Sequence, residues 1–142
     1  MKSLKILFLT SIIFPLLFSC NAQSADKNDN SETTVAKDIQ VYYFHFTRRC
    51  PTCIAVEEKT LEFLKETYAD QMENGTITFK SLNLDEDKAK EIAEKLGVSG
   101  QCLLFVKGDE KVDLTSEGFM NARSNPEKLQ EKIKETIDGF IL

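Results

Sequence analysis

The 142-residue chain has no tryptophan, a single histidine and three prolines, none of them between Pro51 and Pro126. One histidine leaves no Ser-His-Asp ordering to defend as a hydrolytic triad. Neither a Walker phosphate loop nor a dinucleotide-binding glycine fingerprint occurs, and no internal repeat is found. A run long enough to cross a bilayer is missing too: the apolar stretch from Ile6 to Phe18 falls short of the about 20 residues a spanning helix needs. Positive charge is in deficit, with 18 Lys and Arg against 23 Asp and Glu, a net charge of −5 that disfavours nucleic acid as a partner. A second Cys-x-x-Cys, which would argue for a structural zinc site, is absent.

What is present begins with MKSLKILFLTSIIFPLLFSC, where Lys2 and Lys5 precede the apolar run as in a secretory leader. Leu17-Phe18-Ser19-Cys20 resembles a bacterial lipobox, in which the cysteine is acylated and becomes the first residue after cleavage. That resemblance implies a lipoprotein signal peptide over 1–19 and a lipid anchor on Cys20. It places the rest outside the cytoplasm, in the periplasm or at the outer membrane, where disulfides persist. Removal of Lys2 and Lys5 with the leader leaves 16 basic and 23 acidic residues, a net −7. Residues 20–38 are rich in Asn, Ser, Asp and Thr, and Val35 is their one large aliphatic residue. Such a segment buries too little apolar surface to order itself and is expected to act as a flexible tether spanning roughly 25 Å. Residues 39–142 then suffice for one single-core domain.

Within that domain Ile39–Phe46 is β-branched and aromatic with little polarity, as expected of a central strand covered on both faces. A helix is expected from Cys50 to about Met72, with Pro51 near its start and Asn74-Gly75 as its stop. At 100° per residue Cys53, Ile54, Leu61, Leu64, Tyr68 and Met72 share one face. Thr76–Asp85 reads as a second strand with an irregularity near Lys80-Ser81. Ala89, Ile92, Ala93 and Leu96 recur at helical spacing up to Gly97. Leu103–Val106 and Lys111–Thr115 are expected to form a hairpin about Gly108-Asp109. A last helix opens at Pro126 and carries Leu129, Ile133, Ile137 and Phe140 inward.

A Cys50-Pro51-Thr52-Cys53 motif between the first strand and first helix of a βαβαββα chain resembles the thioredoxin-like superfamily, over nearly all of residues 39–142. The resemblance implies an α/β fold with a four-stranded mixed sheet in the order 2-1-3-4 and helices on both faces. It implies thiol–disulfide exchange with protein or small-molecule thiols and disulfides, through a redox-active Cys50–Cys53 disulfide and no other cofactor. Cys50 would be the nucleophile and Cys53 the resolving thiol, with a membrane electron donor as a further partner. Physical chemistry agrees with that division, because a cysteine opening a helix meets unpaired N–H groups and aligned peptide dipoles that stabilise its thiolate. Arg48 and Arg49 add positive charge and are candidate tuning residues, while a static structural bridge is a poor alternative because so small a loop constrains the unfolded chain little.

Departures from the resemblance single out further residues. Thioredoxins carry a buried acid on the first strand where this chain has Phe44; Glu57, four residues after Cys53, is a candidate replacement proton acceptor. They also place a cis-proline before the third strand, and by its spacing from Gly97 that slot falls to Cys102. Pro51, Thr52, Gln101 and Cys102 are thus candidate substrate-binding positions. Cys102 is read either as a shielded small apolar side chain or as a third sulfur brought toward the couple. In the latter case Cys50, Cys53 and Cys102 are an alternative soft-metal set for zinc or copper; His45, roughly 16 Å along an extended chain from Cys50, is a poor fourth ligand. A third alternative is a non-catalytic interaction module of the same shape.

Overall fold

A computed structural model describes residues 38–142. The expected leader, Cys20 and the tether up to residue 37 lie outside the described residues.

Ile39–His45 forms β1, whose alternating side chains go to opposite faces: Ile39, Val41 and Tyr43 to one buried cluster, Tyr42 and Phe44 to another. This two-sided burial explains the unbroken apolar reading of the strand. β1 pairs in parallel with β2 (Ile77–Asn83) and antiparallel with β3 (Cys102–Lys107), and β3 pairs antiparallel with β4 (Glu110–Asp113). The sheet order is β2-β1-β3-β4, a mixed four-stranded sheet with the connectivity of the expected thioredoxin-like α/β fold. The irregularity expected at Lys80-Ser81 does not occur: register runs unbroken from Ile39 opposite Ile77 to His45 opposite Asn83. Lys80 and Ser81 are polar because β2 is an edge strand and they face solvent.

α1 (Pro51–Thr67) starts at a proline whose missing N–H costs nothing in the first turn. It ends earlier than its periodicity suggests, because Tyr68 leaves helical geometry at φ −123° and ψ 35°; the short α2 (Ala69–Glu73) follows. The buried face of α1 is Cys53, Val56, Thr60, Phe63 and Leu64. The expected stripe was therefore rotated: Ile54 is exposed and Leu61 only half-buried, because α1 lies against both the sheet and α5. α3 (Asp87–Leu96) buries Ala89 and Ala93 and closes on Gly97, whose left-handed φ of 75° suits a residue without Cβ. The β3–β4 turn likewise uses Gly108 at φ 59°. Where a strand was expected to continue to Thr115, the chain enters α4 (Thr115–Asn121). α5 (Pro126–Ile141) is capped by the Asn125 side chain accepting from Lys128 N–H, and buries Leu129, Ile133, Ile137 and Phe140.

Helices cover both faces unequally. The larger cluster joins Val41, Tyr43, Leu103 and Phe105 of the sheet to Val56 and Leu64 of α1 and the apolar face of α5. On the other face, Tyr42, Phe44, Cys102, Leu104 and Val106 pack against Ala93, Ile92 and Leu96 of α3. Each fully buried aliphatic side chain contributes about 1.5–3 kcal/mol of transfer free energy, so the α1–α5 face dominates stability and holds the start of α1 rigidly.

Candidate functional site

At the C-terminal end of β1 the chain turns out to solvent and returns as α1. The turn is pinned to the loop after β2: Thr47 N–H donates to Asp85 Oδ2 at 2.8 Å, and Asn83 Nδ2 donates to Thr47 Oγ1 at 2.9 Å. The Thr47 amide holds the exposed Asp85 carboxyl below the usual carboxylate range. The turn thereby delivers Cys50 to a fixed place at the helix start.

Cys50 is the N-cap of α1, with extended backbone at φ −86° and ψ 160°. Its sulfur accepts the Cys53 amide at 3.1 Å, and the Cys50 amide donates to Cys53 Sγ at 3.2 Å. The two residues form a disulfide with Cα atoms 5.1 Å apart. Burial separates them: Cys50 is exposed, Cys53 only 4% exposed. No acidic residue occupies the first turn of α1, so nothing there offsets the positive end of the helix beneath Cys50. Such an arrangement leaves one sulfur open to attack from solvent and the other within reach only of its partner.

Around Cys53 a second layer forms from Arg49 and Glu57, both candidates from the sequence, and from Tyr43, which was not. Tyr43, fully buried, donates its hydroxyl to the Cys53 carbonyl at 2.8 Å. Arg49 Nη2 reaches the same carbonyl at 3.3 Å, its guanidinium lies 5.7 Å from the centre of the Tyr43 ring, and it is ion-paired with Glu57. Burial pushes the Tyr43 hydroxyl's pKa up, against a smaller lowering by Arg49, so it remains a donor at neutral pH. A buried tyrosine needs a partner for its hydroxyl, which was the available signal for this contact.

The expected site residues are thus distributed as follows. Pro51 is exposed and Thr52 half-buried, both beside the disulfide in the first turn of α1. Arg48 is exposed, whereas Arg49 is half-buried, turned toward the Cys53 carbonyl and ion-paired with Glu57. Glu57, one turn after Cys53, is ion-paired with Arg49. Gln101 is half-buried just before β3.

Of the two places expected for Cys102, the structure shows the shielded one. Cys102 opens β3 opposite Phe44 and shares that residue's face of the sheet, packed in the cluster under α3, whereas Tyr43, Leu103 and α1 belong to the other face. Its thiol is buried, with its pKa pushed up by that burial, and it is not directed at the couple. Among the described residues no peptide bond is cis, and no three or more His, Cys, Asp or Glu side chains are grouped to hold a metal ion. The alternative Cys50, Cys53 and Cys102 metal set is therefore not assembled. His45 instead stacks on Tyr43 with ring centres 6.0 Å apart.

No protein-family model and no curated protein matches the sequence. Among solved structures the chain is similar to thioredoxin O2 from Arabidopsis thaliana in its oxidised state, with 22% identity, a TM-score of 0.48 and coverage of 70% of this chain and 75% of that one. It is also similar to Fasciola hepatica thioredoxin, with 21% identity, a TM-score of 0.46 and coverage of 70% and 82%. By its own connectivity, strand order and pairing the chain has the thioredoxin-like α/β fold, with a Cys-x-x-Cys disulfide at the head of its first helix.

Proposed function

We propose that this protein is a thiol–disulfide exchange protein, held outside the cytoplasm on a bacterial membrane by a lipid on Cys20. The observation that carries the redox reading is the asymmetric disulfide: an exposed Cys50 sulfur at a helix N-terminus, joined to a buried Cys53. In the reduced form the helix end favours the Cys50 thiolate, which attacks one sulfur of a substrate disulfide and releases the other as a thiol. Cys53 then loses its proton and attacks Cys50 Sγ. The mixed disulfide breaks, the second substrate thiol leaves, and the Cys50–Cys53 bond forms. Two electrons pass from the protein to the substrate, and the reverse sequence oxidises a dithiol. Partners are protein or small-molecule thiols and disulfides, with a membrane electron donor to complete a cycle.

The anchoring reading rests on the basic start, the apolar run and Ser19-Cys20. Titration of the protein against glutathione buffers tests the redox reading: a reversible two-electron transition that disappears in Cys50→Ser is expected. A disulfide that never opens in the folded protein refutes it. Labelled palmitate incorporated by the wild type and lost in Cys20→Ala is the result expected for the anchor, and an unlabelled wild type refutes that part.

A further inference from the structure

A charged layer lies behind the disulfide. We propose that Arg49 is the positioning cation of the resolving thiol, stabilising the Cys53 thiolate, and that Glu57 holds Arg49 there instead of accepting a proton. This inference rests on the redox reading above and assigns work within that site.

Three observations carry it. Arg49 Nη2 lies 3.3 Å from the carbonyl oxygen of Cys53, which places a permanent positive charge against that residue's own backbone. Its Nε is buried without a hydrogen-bond acceptor among the described residues, so the guanidinium keeps a donor for an anion formed beside it. Glu57 is engaged by the same guanidinium one helical turn beyond Cys53. A half-buried arginine of this kind gains from a counter-charge, and Glu57 supplies it while the guanidinium lies 5.7 Å from the Tyr43 ring centre.

The other groups near Cys53 do not compete for this role. Tyr43 is neutral and donates to the carbonyl, and His45 on the same strand stacks on the Tyr43 ring. From α4, Gly118 packs against Val56 of α1. From β3, Cys102 faces the opposite side of the sheet. Arg49 is thus the cation in contact with Cys53, and its influence falls on the second step: Cys53 attacks the mixed disulfide only as a thiolate, forming its bond to Cys50 Sγ as the substrate sulfur departs and takes a proton.

The test uses the full-length chain carrying Cys20→Ser and Cys102→Ala, reduced and mixed with 5,5′-dithiobis(2-nitrobenzoate). Attack by Cys50 releases one thionitrobenzoate in a second-order phase, and closure by Cys53 releases another in a first-order phase. An opposite charge within about 4–6 Å shifts a thiol's ionisation by one or more pH units. Loss of one unit lowers thiolate tenfold and raises its intrinsic reactivity about threefold, so Arg49→Met should slow closure about three- to fourfold per unit at neutral pH. The midpoint of the closure rate should move to higher pH, the two pH profiles should cross at alkaline pH, and Arg49→Lys should restore most of the rate. Glu57→Gln, which leaves an oxygen to accept from Arg49, should move the midpoint to lower pH. The proposal is overturned if Arg49→Met leaves closure unchanged or slows both phases equally, or if Glu57→Gln slows closure without moving its midpoint. If the reference protein shows no second phase, the redox reading itself fails, which is a separate outcome.

Discussion

Tyr43→Phe isolates one hydrogen bond of the site with little else disturbed. Phenylalanine keeps the ring that packs with Val41, Leu103 and Phe105 and lies beneath Arg49, and loses only the hydroxyl donated to the Cys53 carbonyl at 2.8 Å. A net hydrogen bond contributes about 0.5–1.5 kcal/mol, and an acceptor left bare in the interior costs about 1–3 kcal/mol. Here the carbonyl is not left bare, because Arg49 at 3.3 Å and the helix's own amide one turn on still donate to it. The lower range applies, so we expect a loss of about 1 kcal/mol, read as a fall in Tm of about 4–8 °C for a domain of this size. The bond ends on backbone and not on sulfur, so it should be present in both redox states. Thermal unfolding of the oxidised and reduced proteins should therefore show equal losses, and the couple's potential should move by less than about 15 mV, since 30 mV corresponds to about 1.4 kcal/mol. A loss above about 2.5 kcal/mol, or a potential shift beyond about 30 mV, would refute the reasoning, because the hydroxyl would then be acting on the sulfurs.

Gly118→Ala should destabilise by about 1 kcal/mol in urea unfolding although alanine is the better helix former, since its Cβ would lie 3.1 Å from the buried Val56 Cγ1; a gain in stability would show that Val56 can move. Cys102, shielded and with its thiol pKa raised by burial, should carry less thiolate than a free cysteine at pH 7–8 and alkylate far more slowly than reduced Cys50; comparable mass-labelling rates would contradict its placement. The pKa of Asp85 is depressed in the folded state, so its support of the Thr47 turn is present above the unfolded carboxylate pKa and lost as pH falls through the folded value. The Thr47 amide resonance should follow that titration by NMR and lose it in Asp85→Asn. Ile133→Ala on the buried face of α5 should cost about 2–5 kcal/mol, and a cost below 1 kcal/mol would mean that face is not the main core.

Several of these positions mark where reading the chain as a string stops working. Helical periodicity gave the existence of α1 but not its rotation, because Val56, Thr60 and Phe63 are buried by the combination of sheet and α5 that a single helix cannot announce. Arg49 and Glu57 fall on opposite sides of the Cys50 cap, where the backbone changes from extended to helical, so no helical wheel brings them together. Counting from Gly97 put Cys102 at the start of the third strand, yet only its pairing with Phe44 decides which face the sulfur takes. With a side-chain period of two, one residue of register exchanges the faces. α4 was missed because Leu114 and Thr115 continue a strand-like pattern, and the turn into helix is set by Asp113 accepting the Thr115 amide and by packing of Gly118 on α1.

The amino-acid sequence by itself determined the local matters: a strand of unbroken apolar character, a cysteine pair at helix-capping spacing behind Pro51, glycines where the chain must turn left-handed, and a capped terminal helix. These depend on neighbours within a few residues, whose geometry is dictated by backbone sterics and periodicity. Only the tertiary structure decided which side chains surround Cys53 and which sulfur is kept from the pair. Those outcomes depend on how the faces of separate elements are brought together in packing, and no local rule contains that information.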